Sequence, residues 1–179
     1  VPEAKVSLWP SSVDQGVDQL LTDRFPKLTI VKPEDRTAAF AECDFLLHGS
    51  GSGFVAEADA ARWHEKTGKP YGAYGISMTS DKPITIQTIN GAEFVFFRDS
   101  VSLAKAKELG CKAPVMEFGP DAAFACDLHN DAAAEKFLKS SGLEHGKFLC
   151  CIPLLRYTPY WKISRKNRPF DAAKHARNE

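Results

Sequence analysis

Short, continuously apolar runs alternate with helix-length stretches along this chain, and that alternation constrains the fold more than any single residue does. Residues 6–9, 28–31, 45–48, 71–76, 93–97, 115–118 and 148–155 read as strands. Between them, residues 13–21, 33–40, 55–66, 100–109 and 131–140 carry helical spacing or helix-boundary residues. Pro33-Glu34-Asp35 has the proline-led, acidic character of a helix start, and Gly68 stands where a helix would stop. Two glycines weaken 71–76 as a strand, and 80–90 reads as a loop with a short helix. Strands that are apolar throughout and separated by helices form parallel sheets, because the crossover helices cover the sheet faces. The expected class is therefore α/β, a parallel sheet with helices on both faces. A boundary is expected near Leu143-Glu144-His145-Gly146, where one helix stops and a new apolar run begins.

Charge and cysteine usage narrow the function classes. The formal net charge is zero, which argues against nucleic-acid binding, since that needs an excess of Lys and Arg to neutralise phosphates. The five cysteines, Cys43, Cys111, Cys126, Cys150 and Cys151, are odd in number and irregularly spaced, unlike a disulfide framework. Cys150-Cys151 lies in an apolar run, where buried free thiols are expected. No CxxC or Cys/His spacing suggests a tetrahedral metal site, so neither a metal nor a cofactor is expected. The thiols point to a reducing compartment and a cytoplasmic location. No apolar stretch approaches the ~20 residues of a membrane span. Beyond Arg156 the chain turns aromatic and then basic, as a solvated loop would.

In open parallel sheets ligands bind outside the carboxyl ends of the strands, so the residues just after each apolar run carry the most information. His48-Gly49-Ser50-Gly51-Ser52-Gly53 follows the third run. Its glycines let backbone approach a ligand, and a helix starting there would offer free N–H groups to an anion. It has neither dinucleotide-binding nor P-loop spacing. The alternative is a tight strand-to-helix turn, and His48 alone is more often structural than catalytic. Arg98-Asp99-Ser100-Val101-Ser102 follows the fifth run. Asp99 or Ser100 can cap the next helix, while Arg98 either forks onto a carboxylate or phosphate or fixes the turn through an Arg–Asp bond. Gly119-Pro120-Asp121 with Phe124 reads as a capped turn, and Arg156 leaves the last run abruptly, facing a ligand or forming a surface ion pair.

Taken in order, these segments resemble the polysaccharide pyruvyl transferase family. The likeness covers roughly residues 40–156, from Gly49-Ser50-Gly51, through Arg98-Asp99-Ser100-Val101-Ser102 and its helix to Leu109-Gly110, then Gly119-Pro120-Asp121-Ala122-Ala123-Phe124, to Leu154-Leu155-Arg156. It implies a Rossmann-like half of a two-domain GT-B-like architecture. It also implies transfer of a pyruvyl group from phosphoenolpyruvate to a saccharide hydroxyl, forming a ketal and releasing phosphate. Arg156 is the position implied for the donor's anionic groups, with Arg98, Gly49, Ser50, Gly51 and Ser52 as further substrate-binding positions. The family's opening strand with its Asn-x-Gly-Asp turn is not found here, and no counterpart of a later functional histidine follows Arg156. The expected organisation is thus a Rossmann-like domain over 1–145 lacking its first strand, and the truncated start of a second α/β domain over 146–179. The general acid is expected in the missing C-terminal part, leaving the catalytic residues unassigned and the fragment inactive alone. A homo-oligomer is compatible with all of this. Two alternatives stay open: a GT-B-like glycosyltransferase using a nucleotide sugar, and a non-enzymatic ligand-binding α/β domain.

Overall fold

The structure, a computed structural model, describes residues 4–10, 17–127, 129–151 and 169–177. In chain order the elements are β1 (Ser7–Leu8), α1 (Val17–Arg24), β2 (Thr29–Ile30), α2 (Arg36–Glu42), β3 (Leu46–His48), α3 (Glu57–Thr67) and β4 (Tyr71–Ile76). They continue with α4 (Pro83–Asn90), β5 (Phe94–Phe97), α5 (Ser100–Glu108), β6 (Val115–Phe118), α6 (Asp131–Ser140) and α7 (Ala172–Ala176). Two compact units divide the chain, residues 1–11 with 25–126, and residues 12–24 with 127–179.

The first unit is α/β and Rossmann-like. β3, β4, β5 and β6 form a four-stranded parallel sheet in that order, and β1 pairs with β2 in a separate parallel ribbon. Because all four strands run the same way, His48, Ile76, Phe97 and Phe118 end on one edge. Trp63, Ile76, Ile89, Val95 and Phe97 are fully buried and hold the helices to the sheet. Burying side chains of this size contributes about 1.5–3 kcal/mol each. Trp63 sits at the junction, edge-on to Phe40 and donating its indole N–H to the Pro70 carbonyl at 3.2 Å. At alternate positions Tyr74, Phe94 and Phe96 form an aromatic row with centroid separations of 5.4 and 5.7 Å.

The strand that looked weakest is the most buried, and its glycines explain this. A Cβ at Gly72 would stand 2.6 Å from the Phe94 ring, and Gly75 has φ of 70° with Ser50 Oγ against its open face. Glycine here admits a neighbour that any side chain would exclude. The ambiguous stretch 80–90 holds α4, with Pro83 in its first turn and a buried face of Thr85, Thr88 and Ile89. α3 ends at Thr67 with Gly68 beyond it, as expected.

The second unit contains α1, α6 and α7; α6 is capped by Asn130, whose side chain accepts from the Ala133 N–H at 3.1 Å. The expected strand over 148–155 is corrected where it is described: residues 148–151 are irregular, and Leu149 is 94% exposed. A strand needs a neighbour for its backbone groups, and no strand lies in the second unit among the described residues. For the same reason Cys150 and Cys151 are exposed, not buried; Cys111 is the buried thiol among the described residues. No helix among the described residues is long and apolar enough to cross a membrane, and none of the described His, Cys, Asp and Glu residues group as metal ligands.

Candidate ligand edge

The carboxyl edge of the sheet has two differently built sides. On the β5–β6 side, Arg98 follows β5, its backbone N–H bonded to the Ile76 carbonyl at 3.0 Å. Its guanidinium donates from Nε to Ser77 Oγ and from Nη1 to Asp121 Oδ2, both at 2.8 Å. The Arg–Asp bond is therefore made, but with Asp121 from the β6 turn instead of the adjacent Asp99. With side-chain exposures of 32% and 24%, the pair is partly shielded from water, which strengthens it relative to a surface pair.

Asp99 has a different task. It caps α5, accepting the Ser102 N–H at 2.7 Å and the Ser102 hydroxyl at 2.8 Å. These bonds from Ser102 hold its carboxyl below the usual value, with smaller help from Ser77 and Arg98. Asp121 is likewise lowered, first by the Ala123 N–H and then by Arg98. Ser50, from the glycine loop, accepts the Ala122 N–H at 2.8 Å and ties that loop to the β6 turn above Gly75. Two segments singled out separately in the sequence, Arg98-Asp99 and Pro120-Asp121, thus form one hydrogen-bonded brace together with Ser50.

The β3–β4 side is open. Gly51 continues the ladder past β3 through a parallel bridge to Ile76. α3 begins at Glu57, beyond the glycine loop, with Glu57 and Asp59 in its first turn and no side-chain cap. The helix thus places its own carboxylates at the positive end of its dipole. His48 packs edge-on to Phe54 at 4.7 Å, and its Nε2 accepts the Ala56 N–H at 3.4 Å. Burial lowers its pKa, which favours the neutral ring.

Between the glycine loop and the segment after β4 lies a cavity of about 240 Å³. Its polar lining includes Ser52, Glu57, Ser77, Ser80, Lys82 and Thr85, over a floor that includes Phe54, Ile76 and Ile89. Thr85 donates to Glu57 Oε2 at 2.5 Å and lies 2.9 Å from the Ser80 hydroxyl. Of these residues only Ser52 was singled out in the sequence. The strand-end rule applied to β4 would have pointed to Ser77 and its followers. The edge therefore brings together Gly49, Ser50, Gly51, Ser52 and Arg98, whereas Arg156 lies outside the described residues.

A family model described as polysaccharide pyruvyl transferase matches residues 7–174. Neither the curated proteins nor the solved structures yield a match. A family match over nearly the whole chain, on a parallel α/β sheet, leads to one assignment: this chain belongs to the polysaccharide pyruvyl transferase family.

Proposed function

We propose that the protein transfers a pyruvyl group from phosphoenolpyruvate to a saccharide, forming a ketal and releasing phosphate. The family match over residues 7–174 carries this proposal. In the reaction, a proton adds to the donor's CH₂ carbon and two saccharide oxygens bond to the adjacent carbon. The carbon–oxygen bond to phosphate breaks; of the two hydroxyl protons, one balances the new methyl group and the other leaves with phosphate. Such chemistry needs cations for the donor's carboxylate and phosphate, and groups that deliver and accept protons.

Arg156 is the residue proposed for the donor's anionic groups. Arg98, already paired with Asp121, contributes by fixing the edge on which Gly49, Ser50, Gly51 and Ser52 stand. In this proposal residues up to about 145 form one Rossmann-like domain of a GT-B-like pair, later residues begin the second, and the work is done in the cytoplasm. The test is phosphate release from phosphoenolpyruvate by the intact protein with a panel of saccharides. Acceptor-dependent release in wild type, lost in a folded Arg156→Ala variant, is the expected result. Absence of release with every acceptor would overturn the proposal.

A further inference from the structure

The cavity between α3 and α4 has a chemistry that selects among the two substrates of the proposed reaction. Its polar wall is made of hydroxyls, one carboxylate and one ammonium group, so its lining side chains sum to no net charge. Phosphoenolpyruvate carries a phosphate and a carboxylate and would meet Glu57 as a like charge, with Lys82 as the one lining cation against it. A neutral saccharide has the opposite needs. It presents hydroxyls that both donate and accept, and apolar C–H faces that favour a partly apolar floor.

We infer that this cavity is the binding site for the neutral saccharide acceptor, with Glu57 accepting a hydrogen bond from one of its hydroxyls. Three observations place Glu57 in that role. It stands in the first turn of α3, at the ligand edge of the sheet. One carboxylate oxygen, Oε2, is held by Thr85, which is 3% exposed and backed by Ser80. That anchorage fixes the carboxylate in one orientation and leaves its acceptor capacity beyond the Thr85 bond for a ligand, since a carboxylate has about four lone-pair sites. Ser52 and Lys82 are exposed and form the rim, so the cavity opens to solvent there. The inference rests on pyruvyl transfer only for which saccharide-using reaction the site serves.

The test is binding of methyl β-galactopyranoside, methyl α-glucopyranoside and methyl α-mannopyranoside to the intact protein, followed by saturation-transfer NMR and calorimetry, with phosphoenolpyruvate titrated in parallel. Glu57→Gln keeps an oxygen for Thr85 and is expected to weaken saccharide binding about tenfold, the loss of one charge-assisted hydrogen bond. Ser52→Trp obstructs the rim from an exposed position and is expected to abolish it. Both variants should stay folded, Glu57→Gln melting at most a few degrees lower as its bond to Thr85 loses the charge, and Glu57→Gln should bind phosphoenolpyruvate within about twofold of wild type. Failure of wild type to bind any of the saccharides overturns the inference. So do unchanged saccharide affinities in both variants, or a loss that falls on phosphoenolpyruvate instead. The two claims separate cleanly. Acceptor-dependent phosphate release with wild-type acceptor KM in both variants removes the cavity and leaves transfer standing. Saccharide binding lost in the variants, with no phosphate release by wild type, keeps the cavity and removes transfer.

Discussion

The two sides of the carboxyl edge are made from similar residues and do different things with them. On the β5–β6 side Arg98, Asp99, Ser102, Asp121 and Ser50 spend their hydrogen bonds on one another and on nearby backbone. On the β3–β4 side Glu57, Lys82 and several hydroxyls surround an open cavity instead. The contrast teaches that a conspicuous charged motif at a strand end can be scaffold. Arg98 there spends two of its five donors on Ser77 and Asp121, whereas Glu57 spends one bond on Thr85 and faces the cavity with the rest of its carboxylate.

Gly75 stands where the two sides meet, and changing it should have the largest effect. Gly75→Ala places a Cβ against Ser50 Oγ at a φ of 70°. The strain is expected to cost about 1–3 kcal/mol, read from the midpoint of urea unfolding. A neutral outcome would mean that the Ser50 tie over Gly75 is not held as described. Arg98→Ala should come next, lowering Tm by a few degrees and weakening saccharide binding less than Glu57→Gln does, since it reaches the cavity only through Ser77. Arg98→Lys should recover little, because an ammonium group cannot span Ser77 and Asp121 as the guanidinium does. If Arg98→Ala instead erased saccharide binding without changing Tm, the two sides would have exchanged roles.

Acid should loosen the braced side selectively. Asp99 and Asp121 titrate below their usual value of 3.8 in the folded protein. Their contribution is complete above that value. It is lost as pH falls through the lowered folded values, because the unfolded chain takes up protons first. Stability measured against pH should therefore drop below about pH 4, and Asp99→Asn should flatten the drop. The smallest expected effect belongs to His48, on the open side. Its lowered pKa means that, as pH falls below 6.5, the unfolded chain binds a proton that folded His48 refuses. A shallow loss of stability starting near 6.5 and absent in His48→Gln would support this; an identical profile in both would not.

Much of the sheet was legible because its strands are apolar runs of ordinary length, and β3, β4, β5 and β6 lie where those runs do. Other parts were not, for identifiable physical reasons. Gly72 and Gly75 lower strand propensity within β4 and so hide how buried that strand is; the fold needs both for the approach of Phe94 and Ser50. α4 showed only as a short helix within a loop over 80–90, because its buried face mixes two threonines with Ile89. Residues 148–151 misled in the other direction, since an apolar run signals a strand only where a neighbour waits. At the candidate site the charged motifs were visible from spacing. That Arg98 reaches across to Asp121 is a consequence of β5 and β6 being neighbours, which no local pattern states. The cavity was not legible because residues 77–85 carry no motif, although β4 itself lies at 71–76, where its run does.

Hydrogen exchange of the intact protein, with and without a saturating neutral saccharide, tests the division between the two sides most directly. Slower exchange over residues 52–57 and 77–85, with 98–102 and 121–123 unchanged, is the result expected of an open binding side and a braced structural side. Protection confined to 98–102 and 121–123 would contradict it.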